Sequence, residues 1–471
     1  MLRQNTNALG IIFPNSYDNT VPELVTERAM ASIPFAGRYR MVDFVLSSMA
    51  NCGISNVSIV VRKNYHSLMD HLGTGREWDM ARRHGGLNIV PPFAEKGVRI
   101  YSGRVEALGS ILSFLEHQKE KYVVMSDANI AVNYDFNALL AAHQASGADV
   151  TVAYQKTEIP EGRKNDNYTL TVDADGRVTE LLFNDYRPGV QNLDLNIYVL
   201  ERETLIKLVK DATARGLIYF ERDILAHNVN ILNIHALEYT GYVAHVCDMK
   251  SYFDENLKLI DEKNLDALFP KKSPVYTKIR DDNPVRYVNG SCVTSSILAD
   301  GCVIEGTVEN SVLFRGVKVK KGAVVRNCVL MQDTVVEAGA QLDCVVTDKN
   351  VQITAEKKLS GTESFPVYVQ KSLKDVTPTS LSSDSKDSTI VTDTKNNTSS
   401  LKEELRTKKK SLDNWGRPRK QLIEGVKEVS LTVQLPETLI KALRKEGKKQ
   451  GKSMKELIGT SLLSTYSSLL Q

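Results

Sequence analysis

The first 40 residues contain almost none of the residues that bind nucleotide phosphates. No glycine occurs between Gly10 and Gly37, and Arg28 is the only cation in that interval. Glycine-rich loops bind phosphates because their backbone N–H groups can approach closely, while a nearby Lys or Arg neutralises charge. The apolar run Ala8–Phe13 predicts a buried first strand, and Pro14 begins the turn that follows it. The chain therefore has a loop in the usual phosphate position that lacks phosphate-binding residues.

Long apolar runs and closely paired cysteines are also missing. No apolar stretch approaches the roughly 20 residues that a membrane span needs, and no basic segment followed by an apolar one resembles a signal peptide. We therefore expect a cytoplasmic protein with no membrane partner. No CxxC pair is present, so a zinc site is not expected and the thiols are predicted to be free. The six cysteines are Cys52, Cys247, Cys292, Cys302, Cys328 and Cys344.

The 471 residues, with 42% hydrophobic and 25% charged side chains, are typical of a globular protein of two or three domains. Residues 1–265 alternate short apolar runs with amphipathic stretches. This order predicts an α/β fold, Rossmann-like, with a mixed, mostly parallel sheet covered by helices. Further strands are predicted at 57–61, 122–125, 149–154 and 196–200, and helices at 107–121 and 136–146.

Asp127 comes directly after the predicted strand 122–125. Ligands in open α/β sheets bind beyond the carboxyl ends of strands, and a carboxylate there can hold a divalent cation that bridges phosphates. An aspartate that caps a helix or stabilises a turn has the same sequence signature. Both interpretations remain open at this stage.

A different period begins near residue 286. Small aliphatic residues recur every six positions, as in Val317, Ala323, Val329 and Val335. Hexapeptide spacing of this kind is typical of a parallel β-helix. We predict such a domain over residues 286–375, with its cysteines packed in the stack.

Residues 36–48, AGRYRMVDFVLSS, resemble the GGKYRIIDFxLSN-like segment of bacterial glucose-1-phosphate adenylyltransferases (ADP-glucose pyrophosphorylases). In that family a GGxGxRL…RAKPA loop precedes the segment. Here the loop reads FPNSYDNT, and Met30 stands where RAKPA has its lysine. The resemblance extends to about residue 375 and is greatest to the GlgD-type subunits. It implies a nucleotidyltransferase domain followed by a left-handed β-helix, and it brings ATP and Mg²⁺ as the family's substrate and cofactor.

Several family site positions carry altered residues. By the resemblance, Asp127 matches a metal-binding aspartate, but the second metal-binding position holds His245, with Asp248 three residues away. Imidazole is a poor ligand for Mg²⁺. The lysine of the sugar-phosphate EKP motif matches Asn184, and a serine matches Asp194. The weak, residual substrate-binding residues are then Arg28, Asp127, Tyr198 and Phe220, and no catalytic or metal-binding residue is predicted.

These changes predict a regulatory or stabilising subunit that joins a catalytic glucose-1-phosphate adenylyltransferase chain in a hetero-oligomer, expected to be a tetramer. Phosphoryl chemistry depends on positioned cations, so losing several of them leaves little activity. An active sugar-phosphate nucleotidyltransferase with an altered loop is the first alternative. Basic residues such as Arg62, Lys63 and Arg76 offer either an anionic effector site or a solvated surface.

The last 71 residues are electrostatically distinct. A Ser/Thr-rich flexible linker is predicted at 376–400, and residues 401–471 hold 16 Lys and Arg against 8 Asp and Glu. An alternating run near 429–435 followed by two amphipathic stretches resembles a ribbon-helix-helix module, a small α+β fold. In such modules a ribbon enters the DNA major groove, so Ser430, Thr432 and Gln434 are candidate base-contacting residues. An assembly element that binds no DNA is the alternative.

Overall fold

A computed structural model describes residues 6–83, 85–92, 101–159, 167–183, 185 and 187–371. All of these residues belong to one compact unit. The predicted linker, the ribbon-helix-helix module and its candidate residues Ser430, Thr432 and Gln434 lie outside the described residues. Among the residues that are described, no helix is long and apolar enough to cross a membrane.

The first part of the chain alternates strands and helices, as predicted. Its strands are β1 (Ala8–Phe13), β2 (Pro34–Phe35), β3 (Tyr39–Arg40), β4 (Asn56–Val60), β5 (Gly86–Val90), β6 (Tyr122–Asp127), β7 (Ile130–Val132), β8 (Val150–Ile159), β9 (Tyr168–Val172), β10 (Val178–Phe183), β11 (Gly189–Glu201), β12 (Ile234–Glu238) and β13 (Val243–His245). Its helices are α1 (Pro22–Val25), α2 (Met41–Asn51), α3 (His66–Leu72), α4 (Arg104–Ser110), α5 (Leu112–His117), α6 (Phe136–Ser146), α7 (Arg202–Ala214), α8 (Met249–Lys258) and α9 (Glu262–Leu268). Short 3₁₀ helices span Met30–Ser32 and Arg76–Trp78, and a π-helix spans Phe220–Ala226.

Within the described residues, nine strands form one mixed sheet. Its main path runs β10-β9-β11-β6-β1-β4-β5, and β8 joins β11 to β12. The strands β6, β1, β4 and β5 are parallel to one another, whereas β11 is antiparallel to β6. Apolar clusters cover both faces of the sheet. The predicted mixed, mostly parallel sheet is therefore confirmed.

One predicted helix is interrupted. The interval 107–121 was expected to be continuous, but α4 ends at Ser110 and α5 begins at Leu112. Ile111 between them has φ −113° and ψ 15°, outside the helical region. Its side chain is only 2% exposed in the core, so burial stabilises the break.

The second part of the chain is a parallel β-helix. Its strands are β14 (Arg286–Tyr287), β15 (Cys292–Thr294), β16 (Ile297–Leu298), β17 (Val303–Ile304), β18 (Thr307–Glu309), β19 (Val312–Leu313), β20 (Lys318–Val319), β21 (Val324–Arg326), β22 (Val329–Leu330), β23 (Val335–Val336), β24 (Gln341–Asp343), β25 (Val345–Thr347), β26 (Gln352–Ile353), β27 (Lys358–Ser360) and β28 (Val367–Val369). Over the described residues they stack in three five-stranded parallel sheets.

The six-residue period explains the packing of this β-helix. Val317, Ala323 and Val329 are all fully buried, because each occupies an inward position on a successive face. Cys302, Cys328 and Cys344 are buried free thiols in the stack, as predicted, whereas Cys292 is exposed on the first coil. Burial raises the pKa of Cys302 to about 11, so the thiol stays protonated.

The two domains meet through a continuous apolar contact. Phe35 and Phe44 of the first domain belong to the same buried cluster as Val312, Phe314 and Met331 of the β-helix. A buried ion pair crosses this contact, since Arg28 Nη2 lies 2.6 Å from Asp348 Oδ1 and both side chains are 4% exposed. Lateral packing of this kind ties the β-helix to the residues that precede the α2 helix.

Candidate functional site

A cavity of about 230 Å³ opens beyond the carboxyl ends of three neighbouring parallel strands. Phe13, Val60 and Asp127, which end β1, β4 and β6, contribute to its wall. This edge of the sheet is where α/β proteins bind ligands. Aromatic side chains supply much of the lining, namely Phe13, Tyr17, Tyr101, Tyr168, Phe183 and Tyr219.

Asp127 lies on the cavity floor and both of its carboxylate oxygens are engaged. Ser16 donates its hydroxyl to Oδ1 over 2.7 Å, and Arg104 Nη2 lies 2.6 Å from Oδ2. Ser16 belongs to the loop after β1, and Arg104 is the first residue of α4. Asp127 therefore neither caps a helix nor presents a free oxygen to the cavity.

Arg104 is the centre of this cluster. A second arm of its guanidinium forms an ion pair with Glu221. The guanidinium carbon also lies 4.8 Å from the ring centre of Phe13 and 5.3 Å from that of Tyr198. Buried charges persist when they are paired and packed in this way. The arginine is consequently held from four sides.

Glu221 reaches Arg104 from the π-helix Phe220–Ala226. Insertions of π-helical geometry often occur at functional sites, since they turn one side chain toward a chosen partner. The preceding residue, Phe220, is fully buried and packs edge-on against Tyr198 at 5.8 Å between ring centres. Neither Phe220 nor Tyr198 lines the cavity, but Tyr198 lies against Arg104 and so supports its floor.

Asp194 lies behind the floor on β11. Tyr198 donates its hydroxyl to the Asp194 carboxylate, and the backbone N–H of Asn196 donates to it over 2.7 Å. Tyr17 donates to Asn196 Oδ1 over 3.0 Å. Asn196 has a φ of 56°, which few residues other than glycine adopt but asparagine tolerates, and it lies in the irregularity where β11 changes register against β8. The strand thus bends around the polar cluster.

Burial shifts the protonation of this cluster. It raises the pKa of Asp127 to about 6, although Arg104 opposes the shift. It raises the pKa of Asp194 to about 7, against the hydrogen bonds from Tyr198 and Asn196. The pKa of Arg104 lies well above its usual value because Asp127 and Glu221 outweigh the effect of burial. The guanidinium is therefore charged at any ordinary pH.

The described residues do not fit a bound Mg²⁺. No group of three or more His, Cys, Asp or Glu among them has metal-holding geometry. Asp127 is already paired, and Asp248 caps α8 by accepting the Ser251 N–H over 2.6 Å. His245 ends β13, and its imidazole would be a poor ligand for a hard cation. No chemical step through a metal follows from this arrangement.

The remaining sequence-predicted residues are dispersed. Arg28 does not line the cavity, since its guanidinium is engaged with Asp348 of the β-helix. Arg62 does line the cavity, and Lys63 lies 3.9 Å from Asp18. Asn184 lies outside the described residues. The substrate-binding roles assigned from the resemblance stay predictions.

Sequence reasoning missed the two residues that engage Asp127 most directly, Arg104 and Glu221. Arg104 lies beside a glycine just before the predicted helix 107–121, and Glu221 lies beside Phe220, which was singled out. A charged residue at either position is by itself unremarkable in a helical stretch. The signal that identifies them is their meeting in space, which the sequence does not contain.

Two family descriptions match this chain. Residues 23–216 match the nucleotidyl transferase family, and residues 283–363 match the GlmU-like, C-terminal hexapeptide family. The matched intervals fall on the mixed sheet and on the β-helix.

Similar proteins agree with both matches. A glycogen biosynthesis protein GlgD of Bacillus subtilis is 31% identical over 369 residues, covering 78% of this chain and 97% of that protein. A GlgD protein of Geobacillus stearothermophilus is 36% identical, covering 68% of this chain and 83% of that protein. A glucose-1-phosphate adenylyltransferase of Thermotoga maritima is 30% identical, covering 64% and 73% respectively. The chain thus belongs to the glucose-1-phosphate adenylyltransferase family and is of its GlgD type.

Proposed function

We propose that this chain is a regulatory or stabilising subunit of glucose-1-phosphate adenylyltransferase in glycogen biosynthesis, joined to a catalytic chain in a hetero-oligomer. The charge of the cavity floor carries the proposal. The carboxylates of Asp127 and Glu221 engage the guanidinium of Arg104, and the buried carboxyl group of Asp194 lies behind them. The charge of Arg104 is therefore already neutralised, although Arg62 also lines the cavity.

This arrangement supplies little of the free positive charge that adenylyl transfer needs. Phosphoryl-transfer sites surround the reacting phosphorus with cations, and most of their catalytic power comes from that arrangement. Because both ends of the Arg104 guanidinium are already engaged by carboxylates, little positive charge is left on the floor to hold a triphosphate. Each lost cation raises the barrier by a few kcal/mol, and about 1.4 kcal/mol corresponds to a tenfold change in rate. The GlgD relatives, which are glycogen biosynthesis proteins, support the pathway. The small amount of free positive charge on the floor supports the non-catalytic role.

A second charged cluster supports the regulatory part of the proposal. At the contact between the domains, burial together with the nearby charges of Arg40 and Arg28 lowers the pKa of Lys349 to about 7. Asp348 is the carboxylate that pairs with Arg28 there. A bound anion would relieve the repulsion among these cations and so alter the contact between the domains.

The test uses the purified full chain and a purified catalytic chain from the same source. Pyrophosphate release from ATP and glucose-1-phosphate, with Mg²⁺ present, is measured for each chain alone and for the mixture at equal total protein. We expect no turnover above background from this chain alone. In the mixture we expect a higher rate or a changed effector response relative to the catalytic chain alone. Turnover by the isolated chain at ordinary transferase rates would establish the alternative, an active nucleotidyltransferase.

A further inference from the structure

Arg104 bridges two buried carboxylates of different elements. Its Nη2 lies 2.6 Å from Asp127 Oδ2 at the end of β6, and its Nη1 is paired with Glu221 Oε1 of the π-helix. The side chains of all three residues are at most 8% exposed. One planar guanidinium therefore occupies the space between two carboxylates that face each other.

We propose that Arg104 is an intramolecular substitute for a divalent cation, and that it closes a cation site which Asp127 and Glu221 would otherwise form. Two buried carboxylates do not stay ionised side by side without a cation between them. Divalent cations such as Mn²⁺ and Mg²⁺ prefer carboxylate oxygens. Here the guanidinium lies between the two carboxylates instead, with Nη2 donating to Asp127 and Nη1 forming an ion pair with Glu221. This assignment rests on the proposed non-catalytic function, because a catalytic chain would keep Asp127 free.

The surroundings of Arg104 hold it in this position. Phe13 and Tyr198 place their rings against the guanidinium. The start of α4 is anchored to the segment that precedes the π-helix, since the Val105 N–H donates to the Ile218 carbonyl over 3.0 Å. At Gly103 an added Cβ would collide with that same carbonyl oxygen. The arginine and Glu221 thus approach each other on two backbone segments that are bonded together.

Removing the guanidinium should therefore expose a pair of carboxylates with space between them. Arg104→Ala leaves Asp127 and Glu221 on opposite sides of a vacated volume, and the Ser16 hydroxyl remains within 2.7 Å of Asp127. Mn²⁺ is the probe, because it binds carboxylate oxygens and its free concentration is measured directly by electron paramagnetic resonance. The wild-type chain should show no site at this position, and Arg104→Ala should gain one.

The experiment titrates Mn²⁺ into the full chain and into five variants, one of which is Asp127→Asn. Arg104→Ala and Arg104→Gln are each expected to bind one Mn²⁺ at least tenfold more tightly than the wild type. Combining Arg104→Ala with Glu221→Gln should weaken Mn²⁺ binding at least tenfold relative to Arg104→Ala alone. Arg28→Ala is the matched control: it also removes an arginine from a buried carboxylate, but it frees only Asp348 and should gain no site.

Stability is measured in the same samples, because either Arg104 variant exposes buried like charges. Mn²⁺ should raise the Tm of Arg104→Ala and leave the Tm of the wild type and of Arg28→Ala unchanged. The Tm rise is measurable even if Arg104→Ala is largely unfolded without the metal. If neither Arg104 variant gains Mn²⁺ binding or a Tm rise, the proposal is overturned. It is equally overturned if the wild type binds Mn²⁺ and Asp127→Asn abolishes that binding. Turnover by the isolated wild type contradicts the proposed function and is measured separately.

Discussion

The pKa values of single residues at the cavity floor are determined by burial more than by the intrinsic acidity of each side chain. Asp127 and Asp194 have pKa values raised to about 6 and about 7, in each case with burial as the largest cause. Surface aspartates titrate near 4. Protonation of the floor therefore changes within the range of pH in which proteins are ordinarily stable.

The stability of the first domain should fall as pH rises from about 4 to about 7. In this window the folded state holds protons on Asp194 and Asp127 that the unfolded state has released, so folding is favoured at the lower pH. Asp194→Asn removes one of these groups and keeps an oxygen that can accept from Tyr198. We expect the free energy of unfolding to vary less with pH in this variant. Its slope should be shallower by up to about 1.4 kcal/mol per pH unit between the unfolded-state and folded-state pKa values of Asp194. Urea unfolding at pH 5, 6, 7 and 8 measures this.

Asp175→Asn is the control, because that carboxylate is exposed in the turn between β9 and β10. It should leave the pH profile as it is in the wild type. An Asp194→Asn profile as steep as that of the wild type would contradict the assigned shift.

Individual elements are held in place by close contacts with segments that are distant in sequence. The α4 helix begins at Arg104, and the residue before it, Gly103, lies directly against the Ile218 carbonyl. In the β-helix, Asn310 donates to Asn327 over 2.7 Å, and Asn327 donates to Asp343 over 2.9 Å. The segments that these contacts join have little freedom to adjust.

Gly103→Ala should destabilise the first domain by roughly 1–3 kcal/mol, because the new methyl group forces α4 away from Ile218. Urea denaturation gives the change in the free energy of unfolding. Gly109→Ala in the same helix is the comparison, since its Cβ would meet only the Thr213 hydroxyl at 3.3 Å. Alanine favours helix over glycine by up to about 1 kcal/mol, so this variant should be neutral or stabilising. Equal losses from both variants would argue against the close contact at Gly103.

Asn327 should contribute to the β-helix through its side chain and through its backbone. Its φ is 48°, which asparagine and glycine tolerate better than alanine. Asn327→Gly loses only the ladder of hydrogen bonds, whereas Asn327→Ala also strains the backbone by roughly 1 kcal/mol. Thermal unfolding should therefore rank the alanine variant below the glycine variant and both below the wild type. An alanine variant as stable as the glycine variant would contradict this backbone requirement.

At the scale of the whole molecule, the two domains are joined by apolar packing and by one buried ion pair. Arg28 and Asp348 belong to different domains and are both nearly inaccessible. A buried pair contributes little net stability, but removing one partner leaves an uncompensated charge. We therefore expect the pair to add little to the net stability of the domain contact while making the loss of either partner costly.

Asp348→Ala should destabilise the chain by about 3–5 kcal/mol, because it leaves the Arg28 guanidinium buried without a partner in the contact between the domains. Arg28→Met combined with Asp348→Leu replaces both partners by apolar groups and should cost much less. Chemical denaturation of Arg28→Met, Asp348→Leu and the double variant that combines them gives the coupling energy. A double variant that is as unstable as the sum of the singles would show that the pair is not coupled.

The sequence predicted most of the architecture. Strands β1, β4, β6, β8 and β11, the α6 helix and the β-helix were all anticipated, because apolar runs and six-residue spacing report burial locally. The prediction of one continuous helix over residues 107–121 was wrong, because the break at Ile111 depends on tertiary packing. At the site, Asp127 was found from its place at a strand end, but its partners were not.

What the sequence alone determined is therefore the pair of folds and the shortage of cations in the loop after β1, which are properties of neighbouring residues. Only the tertiary structure decided that Arg104 would meet Asp127, 23 residues away, and Glu221, which is farther still. It likewise sent Arg28 to the β-helix, 320 residues away at Asp348, when the loop position had suggested substrate. The physical reason is that charge pairing depends on distance in space, and no local periodicity encodes which buried carboxylate a given arginine will reach.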